Sequence, residues 1–212
     1  MILLTGFEPF GEDAVNPSWP AVLRARDILV SEGHSVEALE LPCIFGGSVD
    51  VLLSAVADLQ PDIVLSVGLA GGRERLSLER VAINCDDARI PDNKGQRPVD
   101  QEVVPGGPAA YFSTLPIKAA LRNLQIEGIK GEVSQSAGTY VCNHVFYALM
   151  HSVAETGVRG GFLHVPYLPE QVSPGSKVPS MPLESMAAGI AVVARTAITT
   201  SVDAKLSAGA VH

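Results

Sequence analysis

Short apolar runs alternate along this chain with longer stretches whose apolar residues recur every three or four positions, which predicts strands alternating with helices. Ile2 to Leu4 reads as a first strand, followed by a loop over Gly6-Phe7-Glu8-Pro9-Phe10-Gly11 and a helix beginning near Pro17 to Ala21. Val36 to Leu41 reads as a second strand, Val49 to Leu59 as a helix, Ile63 to Val67 as a buried strand and Leu76 to Asn84 as a longer one. Helix returns around Ile117 to Leu124, strand at Glu132 to Ser134, helix after Thr139, strand from Gly161 to Pro166, and a final helix from about Leu183 to Thr199. This order predicts a mostly parallel sheet with helices on both faces. From Asp86 to Pro108 the chain is polar and rich in Pro and Gly, a long excursion of the kind that carries function or an interface. The tail after Asp203 is expected to fray.

Composition narrows this picture. With 212 residues, 47% hydrophobic and 18% charged, the chain can bury a substantial core, and one domain over residues 1–212 is expected. A formal charge of −8 without any Lys/Arg run argues against nucleic acid or an anionic membrane as partner, and favours small or neutral ligands. Met1 to Leu4 is too short, and lacks the basic flank, for a signal peptide; Ala187 to Val193 is too short to span a bilayer. A cytosolic protein is expected. Cys43, Cys85 and Cys142 then read as reduced thiols rather than a disulfide framework.

The stretch Ser136-Ala137-Gly138-Thr139-Tyr140-Val141-Cys142-Asn143-His144 delivers a thiol from a Gly-containing turn onto the start of a helix. Phe146, Leu149, Met150 and Val153 carry the helical spacing behind it. Unpaired N–H groups and the positive end of the helix dipole favour a thiolate there, and the same N–H groups can receive an oxyanion. A nucleophilic thiol needs a base. His164 lies in a short apolar strand stopped by Pro166, at the carboxyl edge where open α/β sheets bind ligands. His144 is turned by about 200° from Cys142 on the helix and fits less well, while His151 shares its face and is expected to meet solvent. His34 sits in a turn, and His212 is the last residue.

Strand alternation places Glu79 with Val81 and Ile83 on an apolar face, where a lone carboxylate is costly unless paired. A histidine would resolve that cost; a surface pair with Arg80 or Arg75 is the alternative. Each of the three has an ordinary explanation, since Cys142 and His164 also suit a packed core. Together they occupy the contexts that nucleophile, base and orienting carboxylate require. Metal-binding spacings are absent, so zinc is set aside and no cofactor is expected. Gly68 to Arg73 follows a buried strand and could meet an anion or simply form a tight turn, and Phe7 and Phe10 fit either core packing or a slot for a flat ring.

Taken together, Leu4 to Gly11 with Val15 to Trp19, Val67 to Arg73, Glu79 to Asn84, Asp87 to Asn93, the Cys142 segment and His164 to Gln171 resemble the pyroglutamyl peptidase I (pyrrolidone carboxyl peptidase) family. The resemblance covers nearly the whole chain in the family's order. It implies a three-layer α/β/α sandwich with a central mixed, mostly parallel sheet, and a cytosolic cysteine peptidase that removes an N-terminal pyroglutamyl residue from peptides, often as a homotetramer. Its triad falls on Cys142, His164 and Glu79. Its substrate pocket falls on Phe7 and Phe10, which would sandwich the lactam, with Asn16 holding their loop and Leu69 and Val141 nearby. Arg89 matches a family arginine near the cysteine, with an oxyanion or electrostatic role. Relatives commonly carry Gln where this chain has Leu69: recognition through the main chain tolerates the change, and recognition through an amide side chain would weaken binding. Two other functions remain open from the residues themselves. One is a phosphate-dependent glycosyl transferase, such as a nucleoside phosphorylase, with Gly68 to Arg73 as its anion site; the other is a non-catalytic module that grips a peptide end.

Overall fold

The computed structural model describes residues 1–209, so His212 lies outside the described residues. Among these, the main sheet contains β1 (Ile2–Phe7), β2 (Val36–Leu41), β3 (Ile63–Leu69), β4 (Leu76–Glu79), β7 (Gly131–Ser134) and β8 (Arg159–Val165), in the order β2-β1-β3-β8-β4-β7. The strands β2, β1, β3 and β8 run parallel; β4 is antiparallel to β8 and parallel to β7. The remaining strands, β5 (Val81–Ile83) and β6 (Ala110–Phe112), form a separate antiparallel ribbon. Helices α1 (Ser18–Ser31), α3 (Ile117–Ile126) and α5 (Leu183–Thr199) cover one face of the sheet, and α2 (Gly47–Leu59) and α4 (Val141–Val153) cover the other. This is the expected three-layer α/β/α sandwich. None of the described helices is long and apolar enough to cross a membrane.

Burial on both faces explains the unbroken apolar runs of the central strands, since β1 and β3 are buried from end to end. Alternation then assigns each side chain to a layer. Leu4, Leu65, Val67, Leu78, Leu163 and Val165 join the cluster under α1, α3 and α5, while Leu3, Phe7, Val64 and Phe162 join the one under α2 and α4. His164, between Leu163 and Val165, and Glu79, next to Leu78, are thereby sent to the α4 face. In the antiparallel register Ser77 stands opposite His164, which makes Glu79 its diagonal neighbour. Helix α4 is itself buried nearly all round, with Val145, Phe146, Tyr147 and Leu149 fully enclosed. Each such side chain contributes about 1.5–3 kcal/mol. That outweighs the lack of a side-chain cap at Tyr140, worth about 1 kcal/mol, and fixes where the helix begins.

Three expectations are corrected. The single long strand from Leu76 to Asn84 is two: the main sheet ends at Glu79, and Val81–Ile83 pairs with Ala110–Phe112, a strand hidden behind the polar excursion. The alternation does not carry across Arg80, so Ala82 rather than Val81 or Ile83 is the buried residue of β5. Phe7 is the last residue of β1 and not part of the loop, because pairing with β2 continues to Leu41 beyond the apolar run. The segment after Asp203 has no regular structure up to residue 209, yet it is tied down at two points. Asp203 accepts from the backbone of Lys118 at 3.1 Å and Ala119 at 2.9 Å, and Ala208 O accepts from Arg80 at 3.4 Å.

Asp203 thus caps α3 from across the chain, where Pro116 offers no side-chain acceptor of its own. Asp203→Ala should cost about 1 kcal/mol of stability with turnover unchanged. Urea unfolding checks this, and an unmoved midpoint would show that the cap contributes nothing.

Candidate active site

The carboxyl ends of β1, β3 and β8 meet the start of α4 around a cavity of about 200 Å³. Phe7, Phe10, Asn16, Cys43, Leu69, Arg73, Tyr140, Cys142 and His164 are among its walls. A larger cavity of about 550 Å³ lies at the opposite ends of β3 and β8, between the last turns of α2 and α4, but its walls carry neither thiol nor imidazole. Chemistry therefore points to the smaller one.

Sheet parity and register bring the three nominated groups together. His164 Nδ1 lies 2.7 Å from Glu79 Oε1, with both side chains buried. Donation by Nδ1–H to the carboxylate leaves Nε2 as the free acceptor of a neutral imidazole. Cys142 sits in the first turn of α4, and its sulfur occupies space cleared by Gly68, the register partner of His164 on β3. A Cβ on Gly68 would stand 2.8 Å from Cys142 Sγ and 2.9 Å from the Phe162 ring.

The thiol differs from expectation in one respect. Burial pushes Cys142 well above the ordinary thiol range, the nearby Cys43 and Glu79 push further, and only Arg73 opposes them. Desolvation is the largest of these effects. It favours the thiol over the thiolate, which gives a neighbouring base a proton to take.

Glu79 pairs with a histidine, and the alternative surface pair does not form, since Arg75 pairs with Glu74 and Arg80 bonds Gln135. The arginine on Glu79 is Arg73, whose Nη1 donates to Oε1 at 2.8 Å. Arg73 had been offered to an anion, and its place at the end of a turn behind β3 was the only sequence signal for this contact. Arg89, expected near the cysteine, is exposed and does not line the cavity. Val141 is fully buried in the cluster under α2 and α4, so its side chain does not reach the cavity either.

His144 was expected to face away from Cys142, and it does not line the cavity. It is buried, with Nδ1 2.7 Å from Asp86 Oδ2 and Nε2 accepting from Gly46 N at 3.0 Å. That pair shares the 43–46 loop with two further carboxylates: Glu8 accepts from Cys43 N at 3.0 Å, and Asp92 from Phe45 N at 2.9 Å. The polar excursion therefore anchors the cavity wall. His151 does meet solvent, 2.8 Å from Tyr111 Oη.

The ring slot is built from both ends of the β1 loop. Phe7 packs 6.3 Å from Phe162, and Phe10 lies 6.0 Å from Tyr140, which bonds Pro91 O. Asn16 donates to Glu8 O at 3.1 Å and accepts from Ser18 Oγ at 2.8 Å, while Ser18 Oγ accepts from Phe7 N at 2.9 Å. Asn16 thus ties the loop after β1 to the start of α1. Sequence reasoning passed over Tyr140 and Cys43 as wall residues; the aromatic one position before the nucleophile's helix was the available signal. Leu69, 8% exposed, turns an apolar side chain into the same slot.

A three-layer α/β/α fold with a thiol, an imidazole and a buried carboxylate at one sheet edge defines a cysteine-type hydrolase. The family model described as pyroglutamyl peptidase matches residues 1–200, and the chain belongs to that family. The pyrrolidone-carboxylate peptidase of Klebsiella pneumoniae (strain 342) is 53% identical over 212 residues, covering 100% of this chain and 99% of the relative. That of Pseudomonas fluorescens (strain SBW25) is 52% identical over 211 residues, with the same coverage of 100% and 99%. Among solved structures, the pyroglutamyl peptidase I of Bacillus amyloliquefaciens superimposes with a TM-score of 0.92 at 44% identity, over 97% of this chain and 98% of that one.

The second thiol of the cavity generates a prediction. Burial pushes Cys43 up to about 12; a hydrogen bond from Tyr140 partly opposes this, and Glu8 and Asp92 add to it. The unfolded thiol ionises near about 8.5, so the folded state binds the proton more tightly. That contribution is complete below the unfolded value and is lost as pH rises toward the folded one, at about 1.4 kcal/mol per pH unit. Stability to urea should fall on the alkaline side, and Cys43→Val should flatten that fall. An equal slope in the two proteins would reject this assignment.

Proposed function

We propose that the chain hydrolyses the amide bond after an N-terminal pyroglutamyl (5-oxoproline) residue of peptides, through a thioester acyl-enzyme on Cys142. The observation that carries this reading is that His164, paired with Glu79 behind it, lines one cavity with Cys142, Phe7 and Phe10. Membership of the family supports the activity itself. In this reading His164 Nε2 takes the Cys142 proton as sulfur attacks the pyroglutamyl carbonyl. A half-buried thiol pushed above its ordinary range suits this coupled transfer better than a preformed thiolate. The N–H groups at the uncapped start of α4 receive the oxyanion. His164, now imidazolium and oriented by Glu79, protonates the leaving amine, then activates water to release pyroglutamate.

Substrate choice follows from the slot. A pyroglutamyl residue has a flat lactam and no ammonium, which suits a cavity walled by Phe7, Phe10, Tyr140 and Leu69. With Leu69 in that wall, recognition of the lactam by side-chain amide at this position is excluded, and main-chain groups carry it. The alternative phosphate site loses its cation, because Arg73 is committed to Glu79 and to Ser136 O.

A chromogenic pyroglutamyl amide should be cleaved by the wild type, with nearly all turnover lost in Cys142→Ala. Glu79→Gln should lower kcat far more than it changes KM, because orienting His164 matters chiefly in the transition state. Full activity in Cys142→Ala would sink the mechanism.

The reading extends to a single domain over residues 1–212, a cytoplasmic location and assembly as a homotetramer, each supported by the resemblance of the whole chain to the family. Light scattering should give about four times the 22.2 kDa chain mass. A monomer at assay concentration would remove the assembly from the proposal.

A further inference from the structure

Arg73 stands outside the three-residue mechanism, yet it touches that mechanism's least accessible member. Its Nη1 donates to Glu79 Oε1 at 2.8 Å, the same oxygen that lies 2.7 Å from His164 Nδ1. Its Nη2 donates at 3.3 Å to Ser136 O, in the loop that leads into α4. We propose that Arg73 is a positioning residue of this site, which fixes the Glu79 carboxylate, shares its charge with His164, and so keeps the imidazole free to accept the Cys142 proton. The inference rests on the triad reading given under Proposed function.

Glu79 has no exposed surface, and its Oε2 has no protein partner among the described residues. An isolated buried carboxylate has lost its contact with water and is strongly unfavourable unless another charge compensates it. With His164 as its only partner, the carboxylate would compensate itself by holding the ring in its protonated form. A protonated ring cannot act as a base. The guanidinium on the same oxygen compensates the carboxylate independently of the ring, so His164 can be oriented without having to carry the compensating charge.

The same charge acts on sulfur. Arg73 is the group that opposes burial, Cys43 and Glu79 at the Cys142 thiol. The titratable and charged groups around it are Glu79 from β4, His164 from β8, Tyr140 and Cys142 from the start of α4, and Cys43 from the loop before α2. Beside it, Glu74 is occupied by Arg75 at 3.1 Å. Among the described residues lining the cavity, Arg73 is the one permanent cation.

Its place is fixed by local geometry. Gly71 lets the Tyr167 ring lie where a Cβ would meet it at 2.4 Å, and Gly72 takes a φ of +87°, which a side chain would disfavour. The turn closes with Arg73 N donating to Ala70 O at 3.3 Å. A lysine could supply the charge but not two donors in a planar fork, so it can replace only part of this role.

The test compares wild type, Arg73→Met and Arg73→Lys on the pyroglutamyl amide across acid and alkaline pH, with iodoacetamide alkylation of Cys142 followed in parallel. Arg73→Met should lower kcat on the order of 100-fold with KM within about threefold. The acidic limb of kcat/KM and the alkylation profile should both move to higher pH, and Arg73→Lys should recover part of each. An unshifted pH profile, a loss confined to KM, or a loss that vanishes at equal folded fraction in urea unfolding would each overturn the inference. Cys142→Ala is assayed beside them. If it is inactive while Arg73→Met behaves as wild type, this inference alone fails; if it is active, the triad reading beneath it fails.

Discussion

A carboxylate without exposed surface sits at the end of β4, one strand in from the edge of this sheet, and the neighbourhood of that strand is arranged around its compensation. Glu79 is tolerable there because His164 and Arg73 meet one of its oxygens at 2.7 and 2.8 Å. The two partners come from different directions, β8 beside β4 and the turn that enters β4. Antiparallel pairing of β4 with β8 places Glu79 diagonally from His164, and sheet parity puts both beneath α4. Loss of either partner would leave a buried charge exposed to low dielectric, a cost of several kcal/mol. The interaction that builds the proposed catalytic base is therefore also a constraint on the fold.

Packing does for the thiol what electrostatics does for the base. Helix α4 starts without a side-chain cap, held instead by the apolar residues that follow Cys142 and by Asn143, which clamps the backbone of Ile83 and Cys85. Gly68 then clears the space that sulfur fills. Burial raises the pKa of that sulfur, so the helix start contributes its position as well as its N–H groups. The aromatic slot is fixed separately, through Asn16 and Ser18 on one side and the carboxylates Glu8, Asp92 and Asp86 on the other.

These layers explain which parts of the site could be read from the chain. Cys142, His164 and Glu79 each carry a local mark: a thiol after a Gly turn, a histidine before a strand-ending proline, and a carboxylate among apolar residues. Arg73 carries none that names its partner, and it was offered to an anion. Arg89 was named by resemblance and is exposed. His144 was judged by the helical angle alone, which gives its direction relative to Cys142 but not the polar excursion that folds over it. The strand β6 was missed for the same reason, because a three-residue run pairs only where a distant strand leaves the sheet.

The chain by itself determined the order of the main-sheet strands and of the helices between them, the burial of β3, and the helix that carries Cys142, because these follow from periodicity and from turn residues within a few positions. The break at Arg80, the diagonal meeting of Glu79 with His164, the second contact to Arg73 and the desolvation of the thiol were decided only by tertiary structure. Each depends on sheet register, layer packing or exclusion of water, quantities set by residues far apart in sequence that no local pattern encodes.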